Sequence, residues 1–281
     1  MDENGNRDLT DDPVRILGNL EPESFDDVIQ CVYPIYNDYE FVTDTGWIKL
    51  GCTEMWPVAI GEAFYHSATF SIAERNYRIG VTPNEYGGFT FTGSPTLALL
   101  AIDGKDVATY HPPESRIKLG QYVELGPDHY QFHGISNDGR LMTLIREPDF
   151  DRQTGIQTGL FAPDFSCIST KGLTISSDAI GDRPLLITNL TACGSGTIKD
   201  YQAIIAAAAG KIQVLAMEPH PSKDRPGFVV DTEDERNRLF HETYRKDYSS
   251  RVCYLIGPDG RLLEKFDIHH WEEFLPNYLV L

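Results

Sequence analysis

Two side chains near position 195 are the strongest candidates for chemistry in this 281-residue sequence. Cys193 lies in a run of small residues just ahead of a segment that we predict to be a helix. Backbone N–H groups and the helix dipole stabilise a thiolate at such a place, so Cys193 is the best candidate nucleophile. Ser195 is either a remnant or an engineered replacement of an original nucleophile, or the N-cap of a helix from Gly196, and both readings can hold together.

Three polar residues further along the chain can assist such a nucleophile. His220 lies between two prolines, directly after a predicted strand, where a histidine can move protons near neutral pH. Glu218 can face the same side and orient the imidazole; otherwise His220 is an ordinary loop residue. Arg251 is predicted either to hold an anion or thiolate, or to pair with a surface carboxylate.

The remaining cysteines are predicted to be buried and to behave as small hydrophobes: Cys31, Cys52, Cys167 and Cys253. An odd total of five, without a regular framework, argues against a disulfide scaffold. The sequence has no Cys-x-x-Cys pair, which excludes a one-chain cycle through that motif, but Cys167 or Cys253 as a distant resolving partner stays open. Zinc-ligand spacing is absent and His269-His270 is a weak metal signal, so we expect no metal site and no cofactor.

Charge and hydropathy exclude two classes of partner. Lys and Arg number 24 against 42 Asp and Glu, a formal net charge of −18, so we expect no binding to nucleic acid or to anionic membrane surfaces. No window approaches the roughly 20 apolar residues of a spanning helix, which predicts no membrane insertion. The first residues lack a secretory n-region, which predicts a cytoplasmic protein as written, or an exported one if a signal was removed.

The spacing of strands and turns predicts an all-β domain over residues 28–148, after an acidic, partly ordered arm over residues 1–27. Short segments rich in aromatic and β-branched residues alternate with turn signals such as Asp103-Gly104 and Asn137-Asp138-Gly139. This pattern is typical of an antiparallel β-sandwich or barrel. The aromatic residues predicted to form its core and rim are Trp47, Trp56, Tyr65, Tyr77, Tyr86 and Phe89.

A different pattern follows a predicted linker over residues 149–159. Residues 160–281 read β-α-β-α-β-β-α, with a helix over 198–209 that ends at Gly210 and a capping box at 232–235 that opens a helix to about residue 246. Gly257-Pro258-Asp259-Gly260 predicts a hairpin turn, and an amphipathic helix over 269–279 closes the chain. The sequence therefore predicts an α+β chain of two domains, the second of α/β type.

Four segments of this second domain carry a family resemblance. They are Leu160-Phe161-Ala162-Pro163-Asp164-Phe165, the hairpin segment Lys171-Gly172-Leu173-Thr174-Ile175, the strand over residues 181–190, and Tyr254-Leu255-Ile256-Gly257-Pro258-Asp259-Gly260-Arg261. Together they resemble the thioredoxin-like superfamily of TlpA-type reductases and peroxiredoxins, over about residues 156–281. The resemblance implies a thioredoxin-like fold whose active site lies between the first strand and the first helix.

Around that active site the closest similarity is to iodothyronine deiodinases. Arg183-Pro184-Leu185, Asn189 and Glu218-Pro219-His220-Pro221-Ser222 match that family's pattern, and the resemblance assigns Glu218 and His220 to its proton relay and Arg251 to an arginine before the penultimate strand. A gapless alignment on Asn189 places Ser195 at the nucleophile and Cys193 at an auxiliary cysteine. A shift by two residues places Cys193 at the nucleophile, and neither alignment supplies a second cysteine or the family's following prolines.

These observations predict a thiol-dependent oxidoreductase that uses a single cysteine. The Cys193 thiolate would attack a small-molecule or protein substrate (a disulfide, a peroxide or a halogenated compound), with His220 and Glu218 managing the proton and Arg251 steadying the charge. An external thiol would regenerate the enzyme. The alternative is a catalytically inactive thioredoxin-like protein that acts as a binding or interaction module through its β domain.

Overall fold

The chain divides into two compact units, and the division falls between Pro148 and Asp149, with residues 112–115 grouped with the second unit. The computed structural model describes residues 10–11, 27–51, 59–62, 65–83, 90–91, 93–108, 115–179, 181–190, 195–222, 224–245 and 251–279. Most of the predicted acidic arm lies outside these ranges, and so do Cys52, Trp56, Tyr86, Phe89 and Cys193. In the described part of the chain, no helix is long and apolar enough to cross a membrane.

The first unit is built from antiparallel strands. They are β1 (Asp27–Tyr36), β2 (Phe41–Gly51), β3 (Ala59–Glu62), β4 (His66–Ile72), β5 (Arg75–Thr82), β6 (Thr96–Ile102), β7 (Lys105–Asp106), β8 (Ile117–Lys118), β9 (Tyr122–Leu125), β10 (Asp128–Ile135) and β11 (Met142–Glu147). One sheet has the order β1-β2-β3, a second β4-β5-β6-β7 with β8 also paired to β6, and a third β9-β10-β11.

The second and third sheets of this unit share one hydrophobic core. Alternate residues of β5, namely Tyr77, Ile79 and Val81, are buried, as the two-residue period of a strand requires when one face is covered. They pack with Leu125 and Phe132 of the third sheet. Of the aromatic residues predicted for this core, Tyr77 is buried, whereas Trp47 and Tyr65 are exposed.

The first sheet contains a strand that the sequence did not predict. The aromatic and β-branched residues of 28–33 predict the strand that β1 contains, but its partner β2 carries Asp44 and Gly46, which local propensity disfavours in strands. The two strands pair over their whole length, from Asp27 opposite Leu50 to Tyr36 opposite Phe41. Pairing with a neighbouring strand thus outweighs the weak local preference.

The second unit contains a five-stranded mixed sheet. The strands and α-helices of this unit are β12 (Ser166–Ile168), β13 (Thr174–Ser176), β14 (Leu185–Asn189), α1 (Ser195–Ala208), β15 (Gln213–Glu218), β16 (Phe228–Asp231), α2 (Arg238–Arg245), β17 (Val252–Ile256), β18 (Leu262–Asp267), α3 (Trp271–Phe274) and α4 (Pro276–Leu279). The sheet order is β16-β15-β14-β17-β18, and β12 pairs with β13 alone. β14, β15 and β16 are parallel, while β17 and β18 are antiparallel to their neighbours.

Both faces of this sheet are covered. Leu185 and Ile187 of β14 belong to a core with Phe240 and Tyr244 of α2. Leu186, between them in sequence, belongs to a second core that includes residues of α1 and of the C-terminal helices. Alternate side chains of a strand point to opposite faces, so the apolar run of β14 reflects burial on both sides.

The predicted order β-α-β-α-β-β-α is present in the second unit. It is joined by one additional strand in the sheet, β16 at its edge, and by the separate hairpin of β12 and β13 ahead of β14. The helix predicted from a capping box at 232–235 begins later, because Asp234 caps a 3-10 turn over Glu235–Asn237 by accepting a hydrogen bond from the Arg236 N–H. The predicted last helix is divided into a 3-10 turn over Ile268–His270 followed by α3 and α4.

The segment predicted as a linker is instead part of the second unit. Phe150 is buried, and the Gly159 N–H donates to the Leu262 carbonyl at 2.8 Å. Arg261 donates to the carbonyl oxygens of Gly159 and Asp151, at 2.8 Å each. The polar run of residues up to Gly159 predicts a linker, but the backbone groups of this segment bond to the hairpin of β17 and β18. The other domain boundaries stay predictions.

Candidate functional site

Most of the candidate residues lie along one edge of the five-stranded sheet, namely the edge formed by the ends of its strands. Glu218 ends β15, Asp231 ends β16 and Asp267 ends β18, while Arg251 comes directly before β17. The carboxyl ends of parallel strands and the amino end of an antiparallel neighbour lie at the same edge, which is where α/β sheets present functional groups. α1 begins at Ser195, three residues before the helix predicted over 198–209 and six residues after β14 ends at this edge.

Cys193 lies outside the described residues, and nothing is described of the Ser195 side chain. Their roles, including the N-cap function of Ser195, stay predictions.

Glu218 is bound by an arginine rather than by His220. Arg225 donates from Nε to Glu218 Oε2 at 2.9 Å and from Nη2 to Oε1 at 2.5 Å, a two-point contact between side chains that are only 19 % and 12 % exposed. Hydrogen bonding to the carboxylate raises the pKa of Arg225. Both oxygens of Glu218 are therefore engaged in an ion pair that fixes the loop after β15.

His220 is exposed, and the structure does not bring it together with Glu218. Its backbone has a left-handed conformation with φ of +48°, and its N–H donates to Asp231 Oδ1 at 3.1 Å. The predicted pair of Glu218 and His220 is thus not formed, because the carboxylate is held by Arg225. A role for His220 in proton transfer stays a prediction without its expected partner.

Arg251 forms a salt bridge with Asp267, the structural alternative that the sequence left open for it. Its Nε lies 3.0 Å from Asp267 Oδ2, with the arginine partly exposed and the aspartate mostly buried. The Arg251 carbonyl also accepts a hydrogen bond from the Ile268 N–H at 2.9 Å. Arg251 therefore joins the start of β17 to the end of β18.

The two other cysteines of the second unit are unsuited to redox exchange. Cys167 and Cys253 are 1 % and 0 % exposed, and burial raises the pKa of each thiol to about 12. The Cys253 Sγ donates to Thr188 Oγ1 at 3.2 Å. Their predicted character as small buried hydrophobes is confirmed, as it is for Cys31 in the first unit. A buried thiol that stays protonated neither attacks nor resolves a disulfide, so neither residue fits the resolving role left open above.

A contact that the sequence does not indicate joins His269, which follows β18, to Asp200 of α1. His269 Nδ1 contacts Asp200 Oδ2, and a Cβ atom built on Gly196 would lie 3.4 Å from His269 Cε1. The His269 N–H donates to Asp267 Oδ1 at 3.0 Å. The pattern His269-His270 had been weighed only as a weak metal signal, because nothing in the sequence indicates that this turn packs on α1.

The described residues contain no group of three or more histidine, cysteine, aspartate or glutamate side chains placed to hold a metal ion. His270, the neighbour of His269, contacts Glu273 one turn later in the chain, at 2.9 Å. The two adjacent histidines therefore have separate carboxylate partners, which their adjacency in the sequence does not reveal.

Comparisons with known proteins give similarity at the level of solved structures only. No protein-family model matches the sequence, and no curated protein matches it. Among solved structures, the thioredoxin domain of a thiol-disulfide oxidoreductase from Bacteroides vulgatus is similar at 15% identity and a TM-score of 0.35, over 43% of this chain and 99% of that chain.

Two further similar structures belong to the same group. A thiol:disulfide interchange protein from a Bacteroides species has 15% identity and a TM-score of 0.33, over 44% of this chain and 91% of that one. A yeast mitochondrial 1-Cys peroxiredoxin has 12% identity and a TM-score of 0.31, over 40% and 67%. These neighbours are thioredoxin-like redox proteins.

Proposed function

We propose that the second unit is a thiol-dependent oxidoreductase in which Cys193 is the only reacting cysteine. The observation that carries this proposal is the burial of the other two thiols of the unit. Cys167 and Cys253 are 1 % and 0 % exposed, and the pKa of each is raised to about 12. Cys193 remains, in the segment between the end of β14 and the start of α1. A helix N-terminus at that place favours a thiolate.

A single reactive cysteine determines the reaction cycle that we propose. The Cys193 thiolate attacks one sulfur of a small-molecule or protein disulfide, the sulfur–sulfur bond breaks, and the other sulfur leaves as a thiolate that takes up a proton. An external thiol then attacks the mixed disulfide and releases Cys193. With a peroxide, the thiolate attacks one oxygen, the oxygen–oxygen bond breaks, and the other oxygen leaves as an alcohol or water after it takes up a proton. The resulting sulfenic acid condenses with one external thiol to a mixed disulfide, which releases water, and a second external thiol then releases Cys193.

Arg251 is proposed to steady negative charge at this edge of the sheet, although one of its nitrogens is engaged by Asp267. Glu218 receives no part in the reaction, because Arg225 occupies both of its oxygens. If Ser195 instead occupies the nucleophile position, the second unit is inactive toward disulfides, since a serine hydroxyl does not exchange with them. A halogenated substrate is the third electrophile that the resemblance to deiodinases offers.

The test uses the full chain and measures glutathione-dependent reduction of 2-hydroxyethyl disulfide and of hydrogen peroxide. Cys193→Ala is expected to abolish both activities, while Cys167→Ala, the matched control at a buried thiol, and Ser195→Ala retain them. Equal rates for the wild type and Cys193→Ala would overturn the proposal.

The alternative function, a binding module without catalysis, has one observation in its favour. The first unit has a groove of about 500 Å3 on its second sheet, lined by Tyr65, Gly80, Leu100 and their neighbours. Tyr65 and Leu100 lie so close over Gly80 that a Cβ there would meet them at 3.0 Å and 2.9 Å. If the wild type proves inert toward both substrates, this groove is the first place to search for a ligand.

A further inference from the structure

We propose that the first unit binds a neutral, largely apolar ring compound in a cavity between its second and third sheets. The cavity has a volume of about 510 Å3 and is lined by residues of β4, β5 and β10, the start of β11 and the turn before it. β5 contributes Ile79 and Val81 to this cavity and Gly80 to the groove described above, so the two sites lie on opposite faces of the second sheet. The inference is independent of the proposed redox function, because all these residues belong to the first unit.

The cavity exists because β4 carries a small residue at the centre of the face that it turns toward the core. His66 and Phe70 are partly buried, and Ala68 shares their face, since side chains two positions apart on a strand point the same way. Ala68 is nevertheless exposed. Its methyl group is too short to span the space between two stacked sheets, so the gap in front of Ile135 and Met142 of the third sheet stays open.

The floor and walls of the cavity are apolar. Ile79, which pairs with Ala68 in the register of β4 and β5, is fully buried, and Phe70, Ile135 and Met142 pack against the same core. Such walls offer water few hydrogen bonds, so an apolar ligand gains the free energy of leaving water. Because an apolar cavity of about 150 Å3 holds one benzene molecule, the volume here suits a ligand of about 15–20 non-hydrogen atoms.

Two ring-bearing side chains stand on either side of Ala68. The His66 ring lies 5.0 Å from the Phe91 ring, and its Nδ1 lies 3.3 Å from the Gly139 carbonyl oxygen. Phe70 is stacked on Tyr77, with 6.1 Å between the ring centroids. Four residues of a strand span about 13 Å, so the space between the two rings favours a compact ring system over an extended acyl chain.

The charges at the rim of the cavity disfavour an anionic ligand. Arg140 lines the cavity, but its Nη2 lies 3.2 Å from Asp44 Oδ2 and its Nε lies 3.7 Å from Asp138 Oδ2. Two carboxylates therefore face this guanidinium, which leaves a net negative charge at the entrance. A ligand without charge avoids both the repulsion and the cost of burying an ion in apolar surroundings.

The rim is held in place by hydrogen bonds within its own turn. The Ser136 hydroxyl donates to Asp138 Oδ1 at 2.6 Å and accepts from the Leu141 N–H at 2.9 Å. The Arg140 N–H donates to the same oxygen of Asp138 at 3.1 Å. A rim ordered in this way spares the ligand the cost of ordering it, which favours binding.

The experiment titrates the full chain with N-phenyl-1-naphthylamine, a neutral ring compound of this size that fluoresces in apolar surroundings. Saturation at one site with a Kd on the order of 10 μM is expected. Ala68→Leu fills the gap and should weaken binding by at least about tenfold, whereas Ala98→Leu, the matched control in the groove on the opposite face, should change it by less than about twofold. The sulfonate of the same ring system, 1-anilinonaphthalene-8-sulfonate, should bind at least about tenfold more weakly.

A measurement on the wild type keeps the test independent of whether a variant folds. The chain has four methionines, and Met142 lines the cavity, so its methyl resonance, assigned with Met142→Leu, should shift with the same Kd as the fluorescence. Binding of the amine without a shift of this methyl group would overturn the inference. No binding of the amine, loss of binding in Ala98→Leu but not in Ala68→Leu, or tighter binding of the sulfonate than of the amine would each do the same.

Discussion

Replacing Glu218 with glutamine separates a structural role from a catalytic one. Glu218 and Arg225 form a two-point ion pair at 2.9 Å and 2.5 Å, and their side chains are 12 % and 19 % exposed. The substitution keeps the shape of the side chain but removes the charge, so the mostly buried guanidinium loses its counter-ion. We expect the second unit to lose stability, while the pH midpoint of Cys193 alkylation stays where it is in the wild type.

The size of the loss follows from the burial of the pair. Removing one partner of a fully buried ion pair destabilises a protein by about 3–5 kcal/mol, and the remaining exposure of this pair reduces that to about 2–3 kcal/mol. For a unit of about 130 residues, the average entropy of unfolding converts this into a decrease of about 7–11 °C in Tm.

The assay is scanning calorimetry of the full chain, with Arg225→Met and the double variant Glu218→Gln/Arg225→Met as controls. Each single variant leaves an unpaired polar partner, whereas the double variant removes the charge from both positions. The double variant should therefore be more stable than the sum of the single losses predicts, by about 1 kcal/mol or more. Glu218→Gln with wild-type Tm and slowed alkylation of Cys193 would refute the reasoning, because the carboxylate would then serve the thiol and not the fold.

Three further predictions concern the cores. Gly139→Ala should destabilise the first unit by at least about 2 kcal/mol in urea unfolding, because Gly139 has φ of +71° and a Cβ would lie 2.4 Å from Phe91; wild-type stability would contradict this. Tyr77→Phe should be neutral or stabilising by up to about 1 kcal/mol in the same assay, since the buried hydroxyl has no hydrogen-bond partner within the described residues; a clear loss would indicate a missed partner. Stability should fall as pH rises from about 8.5 toward 12, because Cys167 and Cys253 stay protonated when folded and ionise when unfolded; Cys167→Ala should flatten that decline in pH-dependent urea titrations, and an unchanged slope would argue against it.

Local sequence was sufficient to predict most of the second unit. Three of its features depend only on residues that are close together in the chain. They are the apolar run of β14, Gly210 after α1 with φ of +82°, and the turn over residues 257–260. The predicted elements therefore appear in the predicted order. β16 was missed because its four residues give too short an apolar run to distinguish it from a loop, and it forms by pairing with β15.

The candidate site was predictable in its location and less so in its pairings. Glu218 and Arg251 were expected at the ends of strands, and the sheet brings both to one edge. Their partners were not predictable, because the chain has 42 acidic and 24 basic residues and sequence does not say which of them meet. Arg225 reaches Glu218 from seven positions further along the chain, and Asp267 reaches Arg251 through the register of β17 and β18.

The sequence by itself determined the types of residue available to this protein: one cysteine ahead of a helix, no Cys-x-x-Cys pair, and a strongly acidic chain with the alternating strands and helices of an α/β unit. Only the tertiary structure decided that Cys167 and Cys253 are buried, that Glu218 is bound by Arg225, and that His269 lies against α1 beside Asp200. The physical reason is the distance along the chain over which each effect acts. Strand, helix and turn preferences act over a few neighbouring residues, whereas burial and ion pairing depend on contacts between residues far apart in the chain.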